Sequence, residues 1–191
     1  MGQPDHSTIL AIDPGLTGAL AWMRLHDGRR VELLGVADVP TYLKKHGTKS
    51  KPHIDLPALA RLVQTPRFDT TPTLAVIEDV GAAPGQGVTS MFRFGYTAGA
   101  LAGICAASDM DVTLIRPQVW QRWARVPRVP RGADAFRNGH TRAKSKATQH
   151  ATEVFDSAKE LLKRKKDHNR ADAILIGYGF FSQQIQAVPE V

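Results

Sequence analysis

The sequence predicts a single α/β domain built on a mixed sheet, and three observations point to it. Two unbroken apolar runs, residues 8–12 and 73–77, each end in an acid, Asp13 and Glu78, and read as strands covered on both faces. Residues 19–25 and 31–39 flank His26-Asp27-Gly28-Arg29, whose Asp-Gly pair signals a hairpin, so the first three strands form an antiparallel meander. Most of the remaining apolar periodicity is helical. At 191 residues and 42% hydrophobic content, the chain suffices for one well-buried domain and leaves little for a second.

Taken in order, the first strand delivers Asp13 to an edge, where Pro14 and Gly15 stop it. Asp13 is then either an Asx-type turn former or a site residue. After the meander, residues 41–53 carry lysines without apolar period and predict an exposed, flexible basic loop, touching a nucleic-acid backbone or nothing. Asp55 caps a short helix whose Leu56, Leu59, Ala60 and Val63 share a face. The strand ending at Glu78 repeats the logic of the first. If the two are parallel neighbours, their ends lie about 4.8 Å apart, close enough for Asp13 and Glu78 to share a cation. Bare carboxylates so placed repel, which a metal or a raised pKa would relieve, and the metal is the preferred reading over a solvent-facing Glu78.

Residues 81–88 form a glycine-rich loop, and Thr89 or Ser90 is expected to cap a helix running to about Ser108. Its Ala98, Gly99, Ala102, Gly103 and Ala106 let a backbone come close, so it lies tight on the sheet or against a second subunit. Phe92, Phe94 and Tyr96 in its first turns either stack on a base or enter the core, and Arg93 and Gln86 add polar reach. Residues 112–115 read as a short strand and 117–123 as a short helix. Residues 124–140, a second flexible basic loop, hold Arg125, Arg128, Arg131 and Arg137 apart by prolines, in a phosphate-facing or disordered segment.

A helix from Thr141 to about Phe155 crowds Arg142, Lys144 and Lys146 into its first two turns, against the helix dipole, a cost of about 0.3–1 kcal/mol each that phosphate would offset. Near the C-terminus, His168 and Asp172 are i and i+4 on a helix that begins near Asp167. Asp172 sits among Ala171, Ala173, Ile174 and Ile176, where a charge is costly unless it is metal-bound or paired, for example with Arg170.

Charge narrows the partner. Residues 116–170 hold 15 Lys and Arg against five acids, a local +10 within a chain of +7, so the remainder is mildly acidic. A basic block of this kind points to nucleic acid. Cys105 stands alone, which excludes an intrachain disulfide and a thiolate metal cluster and suits a reducing compartment. No signal-peptide pattern opens the chain, and the apolar stretch near residues 97–107 is too short to span a bilayer. The expected location is the cytoplasm or an organellar or viral-factory nucleoid, not a secreted one.

With these residues in view, the chain resembles the RuvC-like Holliday junction resolvases of the ribonuclease H-like superfamily. The matching pieces are Ile12-Asp13-Pro14-Gly15, Val76-Ile77-Glu78 and Ala171-Asp172-Ala173-Ile174-Leu175-Ile176, in order and suitably separated. Residues 86–95 and 164–168 are most similar to the chloroplast branch. The resemblance covers nearly the whole domain. It implies a five-stranded mixed sheet flanked by helices, a homodimer, and magnesium-dependent cleavage of four-way DNA junctions. It matches Asp13, Glu78 and Asp172 to three metal-binding acids. For the fourth position it matches Asp167, ahead of His168, while Asn169 stands where many bacterial members have an acid or histidine.

The chemistry suits this residue set. Two Mg2+ ions roughly 4 Å apart, for which Mn2+ substitutes, activate water on one side of a phosphodiester and stabilise the leaving oxygen on the other, with carboxylates as hard ligands. No covalent nucleophile is required. Lys146, or Lys144, would neutralise the phosphate, and Gln86, Phe92, Arg93, Phe94, Tyr96, Arg128, Arg131, Arg142, Lys144 and Lys165 form the expected DNA-contacting set. Two alternatives use the same scaffold: a junction-binding protein without catalysis, and, from Asp13-Pro14-Gly15-Leu16-Thr17-Gly18, a nucleotide-binding domain of the sugar-kinase and actin type. The latter generally needs two such domains.

Overall fold

Residues 8–12 have no charged member, and in the computed structural model they form β1 (Thr8–Asp13), buried until the final acid. The structure describes residues 7–64, 68–69, 71–81, 85, 87–127, 146–164 and 166–187. β2 (Ala19–His26) and β3 (Arg30–Asp38) continue the expected meander, and Asp27 and Gly28 take φ of 49° and 65°, the left-handed turn that an Asp-Gly pair supplies.

The next segment differs from expectation. Residues 41–53 are a two-stranded antiparallel hairpin, β4 (Thr41–His46) and β5 (Lys49–Ile54), not a structureless loop. Gly47, at φ 61°, opens the two-residue Gly47-Thr48 turn. Glycine first in a two-residue loop is itself a hairpin signal, masked here because lysines occupy both faces and leave no apolar alternation.

α1 (Leu56–Gln64) starts where Asp55 Oδ1 accepts from the Ala58 amide at 2.9 Å, as expected for a cap. β6 (Leu74–Glu78) leads to α2 (Val88–Ala106), whose N-cap is Gly87 without a side-chain bond; Thr89 and Ser90 already lie inside the helix, so the expected hydroxyl cap is absent. β7 (Asp111–Ile115), α3 (Pro117–Trp123), α4 (146–154), α5 (Ala158–Leu161) and α6 (His168–Ala187) complete the chain. Most of the second expected loop, residues 128–140, lies outside the described residues.

The five strands form one mixed sheet in the order β3-β2-β1-β6-β7, antiparallel on the meander side and parallel for β1, β6 and β7. Alternation divides the core. Leu10, Ile12, Leu20, Trp22, Ala75 and Ile77 face α1 and α2, whereas Ile9, Ala11, Ala21, Met23, Leu74 and Val76 face Trp120, Ala151, Ile174 and Phe181 of α3, α4 and α6. Each fully buried aliphatic side chain contributes about 1.5–3 kcal/mol, so two such layers hold the sheet firmly between helices. α6 approaches closest. A Cβ at Gly177 would overlap the Met23 sulfur and stand 3.0 Å from Ala11 Cβ, and one at Gly179 would stand 2.8 Å from the Trp120 carbonyl oxygen. No helix among the described residues is long and apolar enough to cross a membrane.

Candidate functional site

Asp13 ends β1 and Glu78 ends β6. The parallel register runs from Ile9 opposite Leu74 to Ile12 opposite Ile77, so the next residue on each strand is the acid. Neighbouring strands lie about 4.8 Å apart, which sets the two acids side by side. They also share a face, because Asp13 continues the alternation of Ile9 and Ala11, and Glu78 that of Leu74 and Val76. That face is the one covered by α3 and α6.

Glu78 is held from α3. The Trp120 Nε1–H donates to Glu78 Oε1 at 2.8 Å. Burial pushes the Glu78 carboxyl above its ordinary value, and the bond from Trp120 opposes that push without cancelling it. A neighbouring cation would favour the charged form that burial disfavours.

Behind Asp13 the chain doubles back on itself. The Gly18 amide donates to Gly15 O at 3.1 Å, Gly15 takes φ 142°, and a Cβ at Gly18 would strike the Asp13 carbonyl oxygen. Both glycines are therefore required by the turn. The Phe94 ring of α2 reaches the same turn, 3.7 Å from where a Gly15 Cβ would stand.

Asp172 approaches from above the sheet. α6 runs antiparallel to β1: Asn169 Nδ2 donates to Thr17 O beyond the strand, and Gly177 crosses Ala11 within it. Asp172 and Gly179 are i and i+7, so Asp172 lies on the flank of α6 that packs against α3, the helix from which Trp120 reaches Glu78. His168, half-buried in the first turn of α6, precedes Asp172 by four residues on the same side. Strand register sets Asp13 beside Glu78, but among the described residues no three His, Cys, Asp or Glu side chains form a group able to hold a metal ion.

Asp167, the expected fourth ligand, is held by an arginine in this structure. Its side chain is buried and turned to the segment before α6, where Oδ2 accepts from the Arg164 amide and Oδ1 from Arg164 Nε, both at 2.7 Å. Arg164 Nη2 also donates to Asp38 at the end of β3 (2.8 Å to Oδ2), and Arg170 Nε donates to the same carboxylate at 2.5 Å. Arg170 further reaches the Leu161 carbonyl oxygen at 3.2 Å. Burial alone would raise the Asp38 carboxyl, but hydrogen bonds from Arg170 and Arg164 outweigh it and hold it below its ordinary value. The cluster fastens the start of α6 to the end of β3.

Lys146 is half-buried in the first described turn of α4, one turn before His150, whose Nε2 bonds the Ala124 carbonyl oxygen at 2.7 Å. On α2, Phe92 is 75% and Tyr96 54% exposed, so neither is core; Arg93 and Phe94 are half-buried. The sheet side of α2 is held by Thr97, Leu101 and Cys105, while Gly95, Gly99 and Gly103 face away into open space. Burial pushes the Cys105 thiol up to about 12, which removes it as a nucleophile. Gln86, Arg128, Arg131, Arg142, Lys144 and Lys165 lie outside the described residues. A cavity of about 550 Å³ lined by Arg29, Arg30, Trp123, Arg125 and Tyr178 opens at the β2–β3 turn, the opposite end of those strands from the acids.

Trp120, Asp38 and Arg164 are the residues that sequence reasoning passes over. Asp38 ends a strand as Asp13 and Glu78 do, a signal that was available. Nothing in the sequence ties Trp120 to Glu78 or Arg164 to Asp38 across such separations.

No protein-family model matches the chain, and no curated protein matches its sequence. Solved structures do match. Thermus thermophilus RuvC in complex with a Holliday junction substrate superposes with a TM-score of 0.55 at 12% identity, over 90% of this chain and 91% of that one. The fowlpox virus Holliday junction resolvase gives 0.57 at 16%, over 92% and 99%. The yeast mitochondrial Holliday junction resolvase Ydc2 gives 0.51 at 15%, over 95% and 81%. The chain therefore has the fold of these proteins: the five-stranded mixed sheet with helices on both faces that the sequence resemblance implies.

Proposed function

We propose that the protein is a divalent-metal-dependent endonuclease that resolves four-way DNA junctions as a homodimer. The observation that carries this reading is the acid pair: Asp13 and Glu78 end adjacent parallel strands on one face, in a fold shared along its length with Holliday junction resolvases.

The donor set fits magnesium. Asp13, Glu78 and Asp172 offer only hard oxygen ligands, and Glu78 is in a setting where its charge is costly without a cation. Asp13 and Glu78 would hold the metal from the strand ends, and Asp172, which belongs to no three-ligand group among the described residues, would complete the set when a cation draws the side chains together, with Asp167 or His168 as the fourth group. The chemistry a divalent cation would supply when bound there is activation of a water and neutralisation of charge on a phosphodiester. The chain's own residues do the rest. Trp120 fixes the orientation of Glu78, and the Gly15 turn lets a phosphate backbone come close to Asp13. Lys146 neutralises the phosphate, and Phe92, Arg93 and Tyr96 on the first turns of α2 meet the DNA near the branch.

The dimer reading rests on α2. Gly95, Gly99 and Gly103 recur along its exposed side beyond the aromatic first turns, a surface on which a second copy can pack closely. A two-fold dimer presents two sites to the two continuous strands of a junction, which accounts for paired nicks.

Asp13→Asn and Asp172→Asn are expected to lower magnesium-dependent cleavage of a synthetic four-way junction by more than about 100-fold, the upper end of what losing a residue behind a metal ligand costs. Binding in calcium should persist. If either variant cuts like wild type, the site is misassigned; a wild type that binds junctions but cuts none in Mg2+ or Mn2+ establishes a binding protein instead. ATP turnover without DNA cleavage would favour the nucleotide-binding alternative.

A further inference from the structure

The β4–β5 hairpin stands outside the sheet, and its attachment gives it a direction. Its base is tied by the Val39 amide to Gly18 O and by the Asp55 amide to Pro40 O, each at 2.9 Å. Gly18 closes the turn behind Asp13, so the hairpin springs from the end of the sheet that carries the acid pair. Six residues per strand at about 3.4 Å each give it a reach of roughly 20 Å. Every described side chain from residue 41 to 52 is exposed.

The pairing within it is costly. Lys44 directly opposes Lys51, and Lys49 follows on the same face, beside the cross-strand pair of Tyr42 and His53, whose ring centroids are 5.9 Å apart. Like charges directly opposite in a ladder are destabilising. Lys44, Lys45, Lys49 and Lys51 have no ion pair among the described residues. A protein interface centres on apolar side chains with charge depleted, and this face is the reverse.

We propose that the Lys44–Lys49–Lys51 face of the hairpin lies along the phosphate backbone of one duplex arm, holding that arm as it leaves the branch. The proposal rests on the junction-cleaving reading. Phosphates alongside Lys44 and Lys51 relieve the repulsion the free hairpin bears, and counterion release adds a salt-dependent contribution to binding. The rival use of the lysines, with Pro52, is to keep the hairpin's free edges from pairing with other strands.

The test uses the full chain in calcium, with four-way junctions whose arms are about 6 or about 15 base pairs at 3.4 Å each, titrated over a salt series. For Lys44→Gln/Lys49→Gln/Lys51→Gln, the slope of log affinity against log salt is expected to shrink by about 0.9 per lysine, or about 2.7. The advantage of long arms over short ones should disappear, with no loss of thermal stability. Lys51→Glu places an acid opposite Lys44; it should raise Tm and weaken long-arm binding. An unchanged slope in the triple variant overturns the hairpin contact and leaves the nuclease reading standing, and new self-association in that variant with unchanged slope assigns the lysines to edge protection. A wild type that binds no junction overturns the nuclease reading and this proposal with it.

Discussion

Glu78 is the residue on which stability and activity pull in opposite directions. Its carboxyl is pushed up by burial, with Trp120 pulling less strongly the other way. A carboxyl raised in the folded state stabilises the protein fully below its unfolded value of about 4.3 and loses that contribution as pH rises through the folded value. Above that folded value the metal-free protein carries a charge that burial disfavours. Glu78→Gln keeps an acceptor for Trp120 and removes the charge, so its Tm without metal should exceed wild type increasingly as pH rises and converge with it in acid. A relief on the order of 1 kcal/mol corresponds to about 2–4 °C for a chain of this size. The same variant should lose cleavage, and magnesium should no longer raise its Tm as it does for wild type; calorimetry with and without magnesium reads both. That two acids end matching strands was legible, because unbroken apolar runs and a terminal carboxylate are local patterns. Trp120 was not, since a hydrogen bond joining residues 42 apart in the chain leaves no periodic trace.

At the scale of elements, α6 is placed by ion pairs at one end and by glycines along its length. Asp167, Arg164, Asp38 and Arg170 tie its start to the end of β3. Asp167→Asn removes the charge that strengthens two hydrogen bonds from Arg164, so it should lower Tm while the folded fraction still binds magnesium. Weakened magnesium binding without a loss of stability would assign Asp167 to the ligand set. Asp38 sets the pH sense. Its carboxyl is held below the ordinary value, so its contribution is present above the unfolded value of about 3.9 and is lost as pH falls through the lower folded one. Asp38→Asn should flatten the acid limb of a stability profile measured by denaturant titration. The sequence places Asp167 just before the helix but is silent on which way its side chain turns, because an aspartate there serves a cation or a guanidinium equally well. The hairpin of β4 and β5 was obscured for a related reason: alternation reports burial, and a strand pair exposed on both faces has none to report.

For the whole molecule, the outward side of α2 carries the proposed two-fold contact. Nothing lies within 4 Å of a Cβ built at Gly99, so the folded protomer has room for a larger residue there. Replacing glycine inside a helix also gains up to about 1 kcal/mol. Gly99→Glu should thus fold at least as stably as wild type, elute as a monomer in light-scattering chromatography, and nick junctions without strand pairing. A dimer unchanged by that substitution would move the interface elsewhere. The antiparallel meander followed from the chain's patterning, whereas the full strand order and the outward turn of the α2 glycines did not, because strand pairing across a long separation leaves no local pattern and small residues suit a tight fit on either side of a helix.

The two close approaches of α6 also act as a gauge. Gly177 rests on Ala11 and Met23, Gly179 on Trp120 and Ala124, and Asp172 rides on the same rigid rod, about 7.5 Å of helix rise from the first contact. The clearance between the acid on the helix and the two on the sheet is therefore set remotely, by the missing methyl groups of two glycines. A single added carbon there would jack the rod away from its bed, and displacements of about 1 Å are enough to cost about 100-fold in a reaction that depends on alignment.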